Sequence, residues 1–162
     1  PKYCVGSVYH KLSSQTEQGN SYPSWDPEKF TVEDSAFGMI VMENGATIML
    51  ESSWALNMLD TREAITTVCG TKAGADMLDG IRINGIRNGC QYVLKPSLAA
   101  GGVAFYDGNG NEAPEVREAR QWIDAVINDK TPCVTPEQAY TITRILEGIY
   151  ESAKTGKPYY FD

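Results

Sequence analysis

The sequence predicts an α+β fold, with an open, mostly antiparallel sheet and helices packed on one face. Two observations carry this prediction. Short β-branched and aromatic segments recur between residues 2 and 95, and two amphipathic helical segments follow between residues 116 and 156. A chain of 162 residues suits one domain, so residues 1–162 are predicted to form a single domain.

About six or seven strands are predicted from alternation and from a high content of Val, Ile, Thr and Tyr, with a short last strand near the C-terminus. Most neighbours are separated by turn residues too few for a crossover helix, which favours antiparallel pairing. The main predicted strands are Lys2–Leu12, Glu33–Met42, Ala46–Trp54, Ala64–Cys69, Ala75–Leu78, Ile81–Asn84 and Gln91–Lys95, and Tyr159–Phe161 is the candidate for an additional short last strand.

Loops and turns are predicted where polar residues, glycine and proline cluster. Ser13–Thr31 is polar and contains two prolines, and Pro96–Glu112 is rich in Gly and Ala, with room for a short strand at Val103–Tyr106. Tight turns are predicted at Gly70–Gly74, Asn84-Gly85 and Asn88-Gly89.

The strongest local signal is the dipeptide Asn44-Gly45 between two predicted strands. This dipeptide tolerates the two positive φ angles of a type I′ hairpin turn, so a two-residue turn is predicted. Counting back from such a turn pairs Val41 with Ile48 and Met39 with Leu50 on a face predicted to be core. The opposite face then carries Ile40, Met42 and Met49.

Two helices follow. In the first, apolar residues recur at helical spacing over Val116–Ile127, and Asp129–Pro132 ends it. The second has Thr135 as its predicted N-cap, with Pro136 at the first helical position and Gln138 completing a capping box; a glycine at position 156 ends it. Its predicted apolar stripe is Ala139, Ile142, Leu146, Ile149 and Ala153.

Two helices cover only one side of such a sheet. The face with Ile40, Met42 and Met49 is therefore predicted to meet a second copy of the chain, because an exposed apolar face of that kind marks an interface.

Charge and cysteine usage exclude several classes of function. The net charge of −7 argues against nucleic acid and anionic membranes as partners. No two of the four cysteines have CxxC spacing and the chain has one histidine, so no metal site is predicted. Scattered cysteines, without a signal peptide or a long apolar run, favour a cytoplasmic location. A start at Pro1 suggests a fragment of a longer protein.

Four side chains are candidates to face a substrate. Trp25 lies in the long loop, Trp54 ends a predicted strand and Asn57 follows it. Aromatic rings beside amides at strand ends are typical of carbohydrate pockets, although a tryptophan packing the edge of a core is an equal alternative. His10, the single histidine, could act as an acid or base, but no partner is evident and a hydrogen-bonded strand histidine is favoured.

Other motifs are predicted to be structural. Glu33 and Asp34 are adjacent on a strand, so their carboxylates point to opposite faces and a role at the strand entrance is favoured. The glycines of Gly70–Gly74, and Gly108 with Gly110, lack the spacing of a dinucleotide or phosphate loop and are predicted to be turns.

Five segments, in order along the chain, resemble one known family: Val32–Phe37, Glu43–Thr47, Glu51–Trp54, Cys69–Gly74 and Glu147–Gly156. They are similar to the C-terminal half of the Gfo/Idh/MocA family, which includes glucose–fructose oxidoreductase and inositol dehydrogenase. The resemblance spans nearly the whole chain.

The resemblance implies that the parent protein is an NAD(P)-dependent oxidoreductase acting on a sugar, a cyclitol or a similar polyol. It implies an N-terminal Rossmann domain that binds NAD or NADP and is absent from this chain. The family's catalytic lysine and Asp…His pair lie upstream of the matched region, so no catalytic or cofactor-binding residue is assigned here. This chain is expected to line the substrate pocket, to form homo-oligomer contacts and to be inactive alone.

Two alternatives remain open from the sequence. One is a non-enzymatic ligand-binding or assembly module of α+β fold. The other is the C-terminal half of a different two-domain dehydrogenase, such as the dihydrodipicolinate reductase type. A G-x-G-x-x-G motif after a strand, upstream of Pro1, would separate the dehydrogenase from the binding module.

Overall fold

The computed structural model describes residues 1–14, 25–54, 56–59, 64–96 and 113–162. The described chain divides into two compact units. The first unit is Pro1–Met58 with Ala125–Asp162, and the second is Leu59–Asp124. The predicted strand at Val103–Tyr106 and the glycines at 108 and 110 lie outside the described residues.

Eight strands, two α-helices and one short 3-10 helix (Pro27–Lys29) are present in the described ranges. The α+β class with open antiparallel sheets is confirmed. In chain order the elements are β1 (Tyr3–Tyr9), β2 (Ser35–Val41), β3 (Thr47–Ser53), β4 (Thr67–Cys69), β5 (Ala73–Asp76), β6 (Arg82–Arg87), β7 (Cys90–Leu94), α1 (Pro114–Ile127), α2 (Pro136–Thr155) and β8 (Tyr159–Tyr160).

The first unit holds a four-stranded antiparallel sheet in the order β3-β2-β1-β8. Its hairpin between β2 and β3 differs from the predicted type I′ turn. Gly45 has φ 86° but Asn44 keeps a negative φ, and the Met42 amide donates to the Ala46 carbonyl at 2.8 Å. The Asn44 side chain instead accepts from the Ala46 amide at 3.0 Å. The connection therefore has three residues, a turn closed by a left-handed glycine.

This one-residue change turns the side chains of β2 to the opposite face relative to β3, because side chains alternate along a strand. Leu50 keeps its predicted core face, and Ile40 lies there in place of Met39 and Val41. Ile40 pairs with Ile48 and Met39 with Met49. Ile40 is 1% exposed and belongs to the core, whereas Met49 is 75% exposed on the opposite face. The prediction that Ile40, Met42 and Met49 share an open face was wrong for the first two.

Helix α2 covers the core face of this sheet. The core cluster is formed by two sheet residues and two helix residues, Cys4, Ile40, Ile145 and Ile149. The helix approaches β1 closely because Gly6 has no side chain; a Cβ there would lie 2.6 Å from Ile149 Cγ2 and 2.8 Å from the Ile149 carbonyl oxygen.

The ends of α2 are as predicted. Thr135 and Gln138 form a reciprocal capping box, Pro136 opens the helix, and Gly156 ends it with φ 66°. The predicted apolar stripe is rotated, however. The buried residues are Ile145, Gly148, Ile149 and Ser152, while Ile142 and Leu146 are exposed. Two small residues, Gly148 and Ser152, alternate with the two isoleucines on the buried side, where the close helix–sheet contact leaves little room.

Helix α1 forms where the periodicity predicted it, but its apolar stripe is exposed. Val116, Ile123, Val126 and Ile127 each expose more than half of their surface. Of the two helices, α2 is the one that packs on the sheet of the first unit.

The second unit contains an antiparallel sheet in the order β4-β5-β6-β7. Asn88 and Gly89, with φ 53° and 74°, form the two-residue turn between β6 and β7. The turn predicted at Asn84-Gly85 is wrong, since both residues lie within β6. Gly85 pairs with Tyr92, whose ring lies over it: a Cβ on Gly85 would be 2.8 Å from the Tyr92 hydroxyl oxygen.

Candidate functional site

The candidate site lies in the first unit, where β1 ends, β2 begins and β3 ends. Asp34, at the entrance to β2, is 2% exposed. Its carboxylate accepts from the amides of Lys11 and Leu12 at 2.5 and 2.7 Å and from the Ser35 hydroxyl at 3.0 Å. A buried carboxylate requires such partners, because desolvation of an unpaired charge is costly. The predicted structural role of Asp34 at the strand entrance is confirmed.

The two candidate tryptophans are brought together here. The ring centroids of Trp25 and Trp54 are 4.7 Å apart with the planes at 70°, an edge-to-face contact. Phe30 completes the cluster, with its centroid 6.0 Å from Trp25 and 5.5 Å from Trp54. Both indoles are partly exposed. This arrangement, the aromatic cluster, uses part of each ring for packing and leaves part accessible.

Trp25 is also fixed by its polar atom. Its indole Nε1 donates to the Ser13 carbonyl at 2.8 Å. Because the Trp25 ring packs against Trp54 and its nitrogen is hydrogen-bonded, few rotamers of this side chain remain accessible. Its exposed surface is therefore already ordered before any ligand binds.

His10 lies at the same end of the sheet, and its Nδ1 is 3.0 Å from the Val32 carbonyl oxygen. This contact fixes Nδ1 as the protonated nitrogen when the ring is neutral. The favoured interpretation of His10 as a hydrogen-bonded histidine agrees with this geometry.

Glu33 and Asp34 precede β2 and their carboxylates have different partners. The Tyr150 hydroxyl of α2 donates to Glu33 Oε1 at 2.5 Å. This hydrogen bond is the main cause that lowers the pKa of Glu33 and raises the pKa of Tyr150. The pair joins α2 to the entrance of β2.

Asn57, the fourth candidate, is exposed and lies three residues beyond Trp54. Sequence reasoning did not identify Phe30 or Tyr150. Phe30 carried a weak signal, as an aromatic residue in a polar loop that also holds Trp25. Tyr150 carried none, because its partner is 117 positions away.

Within the described ranges, no group of three His, Cys, Asp or Glu side chains is placed to hold a metal ion. Among those same residues, no helix has the length and apolar character needed to cross a membrane.

The second unit has a shallow depression of about 230 Å³ on its sheet, lined in part by Asp76 and Arg82. These two form a bidentate ion pair, with distances of 2.8 Å from Nε to Oδ1 and 2.7 Å from Nη2 to Oδ2. Arg82 lowers the pKa of Asp76, and the two charges neutralise each other. This leaves no net charge with which to bind an ionic ligand.

The aromatic cluster thus combines apolar ring faces with nearby polar groups. Such surfaces suit sugars, whose C–H faces stack on aromatic rings while their hydroxyls form hydrogen bonds. None of the four candidates is assigned a catalytic role by its contacts.

Comparison with known proteins gives a sequence relative that matches most of the chain. The chain is 31% identical over 148 residues to a D-glucoside 3-dehydrogenase of Escherichia coli strain K12, a match that covers 91% of this chain and 39% of that protein. No profile of a known protein family matches the chain.

Solved structures share the fold at lower identity. An aldose-aldose oxidoreductase from Caulobacter crescentus, complexed with glycerol, superposes with a TM-score of 0.64 at 16% identity, covering 99% of this chain and 41% of that one. An oxidoreductase from Agrobacterium radiobacter, in complex with NAD⁺, L-tartaric acid and magnesium, gives 0.62 at 16% identity, covering 97% and 42%. The chain spans about two fifths of the length of each of these three proteins.

Proposed function

We propose that this chain, whose resemblance to Gfo/Idh/MocA oxidoreductases is confirmed by its similarity to a sugar dehydrogenase, forms the C-terminal, substrate-side domain of an NAD(P)-dependent sugar oxidoreductase. The observation that carries the proposal is the 31% identity to D-glucoside 3-dehydrogenase across 91% of the chain. The substrate class is a D-glucoside or a related sugar, cyclitol or polyol.

The proposed reaction divides between two parts of the parent protein. A Rossmann domain, N-terminal to this region, binds NAD or NADP and supplies the hydride acceptor. This chain has no G-x-G-x-x-G turn leading into a helix, the usual means of holding a pyrophosphate. The complex of the Agrobacterium structure with NAD⁺ supports the choice of cofactor. Residues 1–162, including both units, form one C-terminal domain in this proposal.

The proposed contribution of this chain is one wall of the sugar pocket. Trp25 and Trp54 offer partly exposed rings for stacking, and Asn57 and His10 offer polar groups for substrate hydroxyls. The edge-to-face contact of the two indoles supports this role, because it presents a rigid apolar surface whose ordering costs little entropy on binding.

The proposed partners are the N-terminal domain and further copies of the chain. The open face of the first sheet, opposite α2, is the surface proposed for the homo-oligomer. This face carries Val5, Met39, Met49 and Tyr160, one from each strand of the sheet. The exposed fractions are 40% at Val5, 75% at Met49 and 66% at Tyr160. A continuous apolar face of this kind favours burial against an identical face.

A cytoplasmic location belongs to the same proposal. It is supported by the free state of all four cysteines, of which three are exposed.

The full-length parent protein provides the test. We expect reduction of NAD⁺ or NADP⁺ with a D-glucoside, and weaker activity with free aldoses or inositol, followed by the absorbance of the reduced nicotinamide. A set of sugars without a hydroxyl at carbon 3 is the matched control. Saturable sugar binding with no cofactor reduction would instead identify a non-enzymatic binding module.

The isolated chain gives a second test. Calorimetric titration with NAD and NADP should show no saturable binding, since the sequence has no G-x-G-x-x-G turn to hold a pyrophosphate. Micromolar binding of either cofactor by residues 1–162 would contradict the proposed division between the two domains.

A further inference from the structure

We propose that Asp34 is the positioning residue of the aromatic cluster, holding Trp25 and Trp54 in their edge-to-face geometry. The importance of this geometry for sugar binding rests on the proposed function, but the geometric role of Asp34 does not. Asp34 acts through the backbone segments that carry the two indoles.

Every polar group of Asp34 is used. Its amide donates to the Tyr9 carbonyl at 3.0 Å, and its carbonyl accepts from the Ser53 hydroxyl at 3.2 Å and the Trp54 amide at 3.4 Å. Its carboxylate binds the amides of Lys11 and Leu12. The residue therefore ties together the end of β1, the start of β2 and the end of β3.

Two short paths lead from Asp34 to the indoles. Along the first, the carboxylate fixes the Leu12 amide, and the next residue, Ser13, accepts from Trp25 Nε1 at 2.8 Å. Along the second, the carbonyl holds the backbone of Trp54 itself. Asp34 thus determines the positions of the Trp25 and Trp54 indoles relative to the sheet.

The chemistry of the position favours aspartate. The carboxylate is buried. Its Oδ2 accepts hydrogen bonds from the amides of Lys11 and Leu12, and its Oδ1 accepts one from the Ser35 hydroxyl, which lies 3.0 Å from Ser53 Oγ. Hydrogen bonds to an ionised acceptor are stronger than those to a neutral one. Asparagine could keep this geometry, with Oδ1 toward the amides and Nδ2 toward Ser35, but as a weaker acceptor. Alanine would leave buried amides without a partner.

The experiment uses the coupling between the two indoles. Rings at 4.7 Å and 70° should give an exciton couplet in the far-ultraviolet circular dichroism spectrum of the full chain. Trp54→Phe should abolish the couplet and Trp122→Phe, in α1, should leave it unchanged. We expect Asp34→Ala to lose most of the couplet and Asp34→Asn to keep an intermediate amplitude, both measured well below the unfolding temperature.

Ile149→Ala is the matched control for stability. It removes a core side chain that is 2% exposed and belongs to the core cluster, not to the Asp34 network, so it should lower the melting temperature and retain the couplet. Should Asp34→Ala fail to fold, Asp34→Asn decides the question. A full couplet in a folded Asp34 variant, or an equal loss in Ile149→Ala, would overturn the proposal.

Kinetics of the full-length enzyme separate this inference from the proposed function. We expect Asp34→Asn to raise KM for the sugar more than it lowers kcat. A reduced couplet with unchanged KM would leave the positioning role of Asp34 intact and would remove the aromatic cluster from the substrate site.

Discussion

The Ser152 hydroxyl of α2 accepts a hydrogen bond from the Gly6 amide of β1 at 3.1 Å and donates one to the Lys157 carbonyl at 2.7 Å. Ser152 is 1% exposed. Tyr3 and Cys4 are the residues of β1 that pair with β8. The Gly6 amide lies beyond them and has the Ser152 hydroxyl as its partner. The hydroxyl therefore fixes α2 on the sheet at the point where the absence of a side chain at Gly6 allows the closest approach.

Replacing Ser152 by Ala should destabilise the first unit by about 1–3 kcal/mol, because the part-buried Gly6 amide and Lys157 carbonyl would both lose their hydrogen-bond partner. Urea unfolding followed by circular dichroism measures the change. Ser52→Ala, at an exposed position of β3, is the control and should be close to neutral. Equal stability of the two variants would show that the buried hydroxyl contributes nothing.

The Glu33–Tyr150 hydrogen bond should make stability depend on pH. The bond lowers the pKa of Glu33 from its ordinary 4.5. Its contribution to folding stability is therefore present above pH 4.5 and is lost as the pH falls through the lower pKa of the folded state. The bond raises the pKa of Tyr150 from its ordinary 10.0, so the contribution is present below that value and is lost as the pH rises through the raised pKa.

Tyr150→Phe should therefore cost about 0.2–1 kcal/mol near neutral pH, a small value because Tyr150 is 43% exposed and solvent screens the pair. The cost should shrink well below pH 4.5. Denaturant unfolding at both pH values tests this, with Tyr140→Phe as a control on the same helix. A cost that persists unchanged in acid would assign it to packing instead.

Self-association through the open face should be sensitive to one charge. Met49→Glu adds a carboxylate to that face, in the middle of the edge strand β3, where burial against a second copy would be costly. We expect light scattering behind a sizing column to show an oligomer for the wild type and a monomer for the variant. Thr71→Glu places the same charge in the β4–β5 turn and should leave the mass unchanged. A monomeric wild type at micromolar concentration would refute the interface.

Trp54→Ala or Asn57→Ala in the full-length enzyme should raise KM or lower turnover by an amount equivalent to about 1–3 kcal/mol, through loss of ring stacking or of a hydroxyl contact. Trp54→Phe keeps an aromatic ring in the cluster and should retain more activity than Trp54→Ala. Steady-state kinetics and melting temperatures should be measured together. Unchanged kinetics with a lower melting temperature would make both residues structural.

Local signals explain which parts of the fold were predictable. The capping box of Thr135 and the left-handed Gly156 involve residues a few positions apart, and both formed as predicted. The hairpin shows the limit of such signals. Asn44-Gly45 and Asn88-Gly89 are the same dipeptide, yet the second alone adopts two positive φ angles. At the first, the Asn44 side chain accepts from the Ala46 amide and favours a three-residue turn.

The candidate site was predictable in its residue types but not in its geometry. Tryptophans at a loop and a strand end indicated an aromatic surface, and the structure brings Trp25 and Trp54 into contact. The Asp34 carboxylate accepts from the Leu12 amide, which is 22 positions away in the chain. Glu33 accepts from the Tyr150 hydroxyl, which is 117 positions away. No local pattern encodes such distances.

The sequence by itself determined the α+β class, the positions of the helices and most strands, and the resemblance to an oxidoreductase domain. These properties depend on periodicity, capping and turn chemistry, which act over a few residues. The tertiary structure alone decided which sheet face is buried and which side of α2 contacts it. A one-residue shift at Gly45 put Ile40 of β2 on the buried face in place of Met39 and Val41, while Leu50 of β3 kept its predicted face. On α2, Ile149 is buried as predicted, but Ile145, Gly148 and Ser152 are buried instead of Ile142 and Leu146, because close packing above Gly6 selects among helix faces that periodicity leaves nearly equivalent.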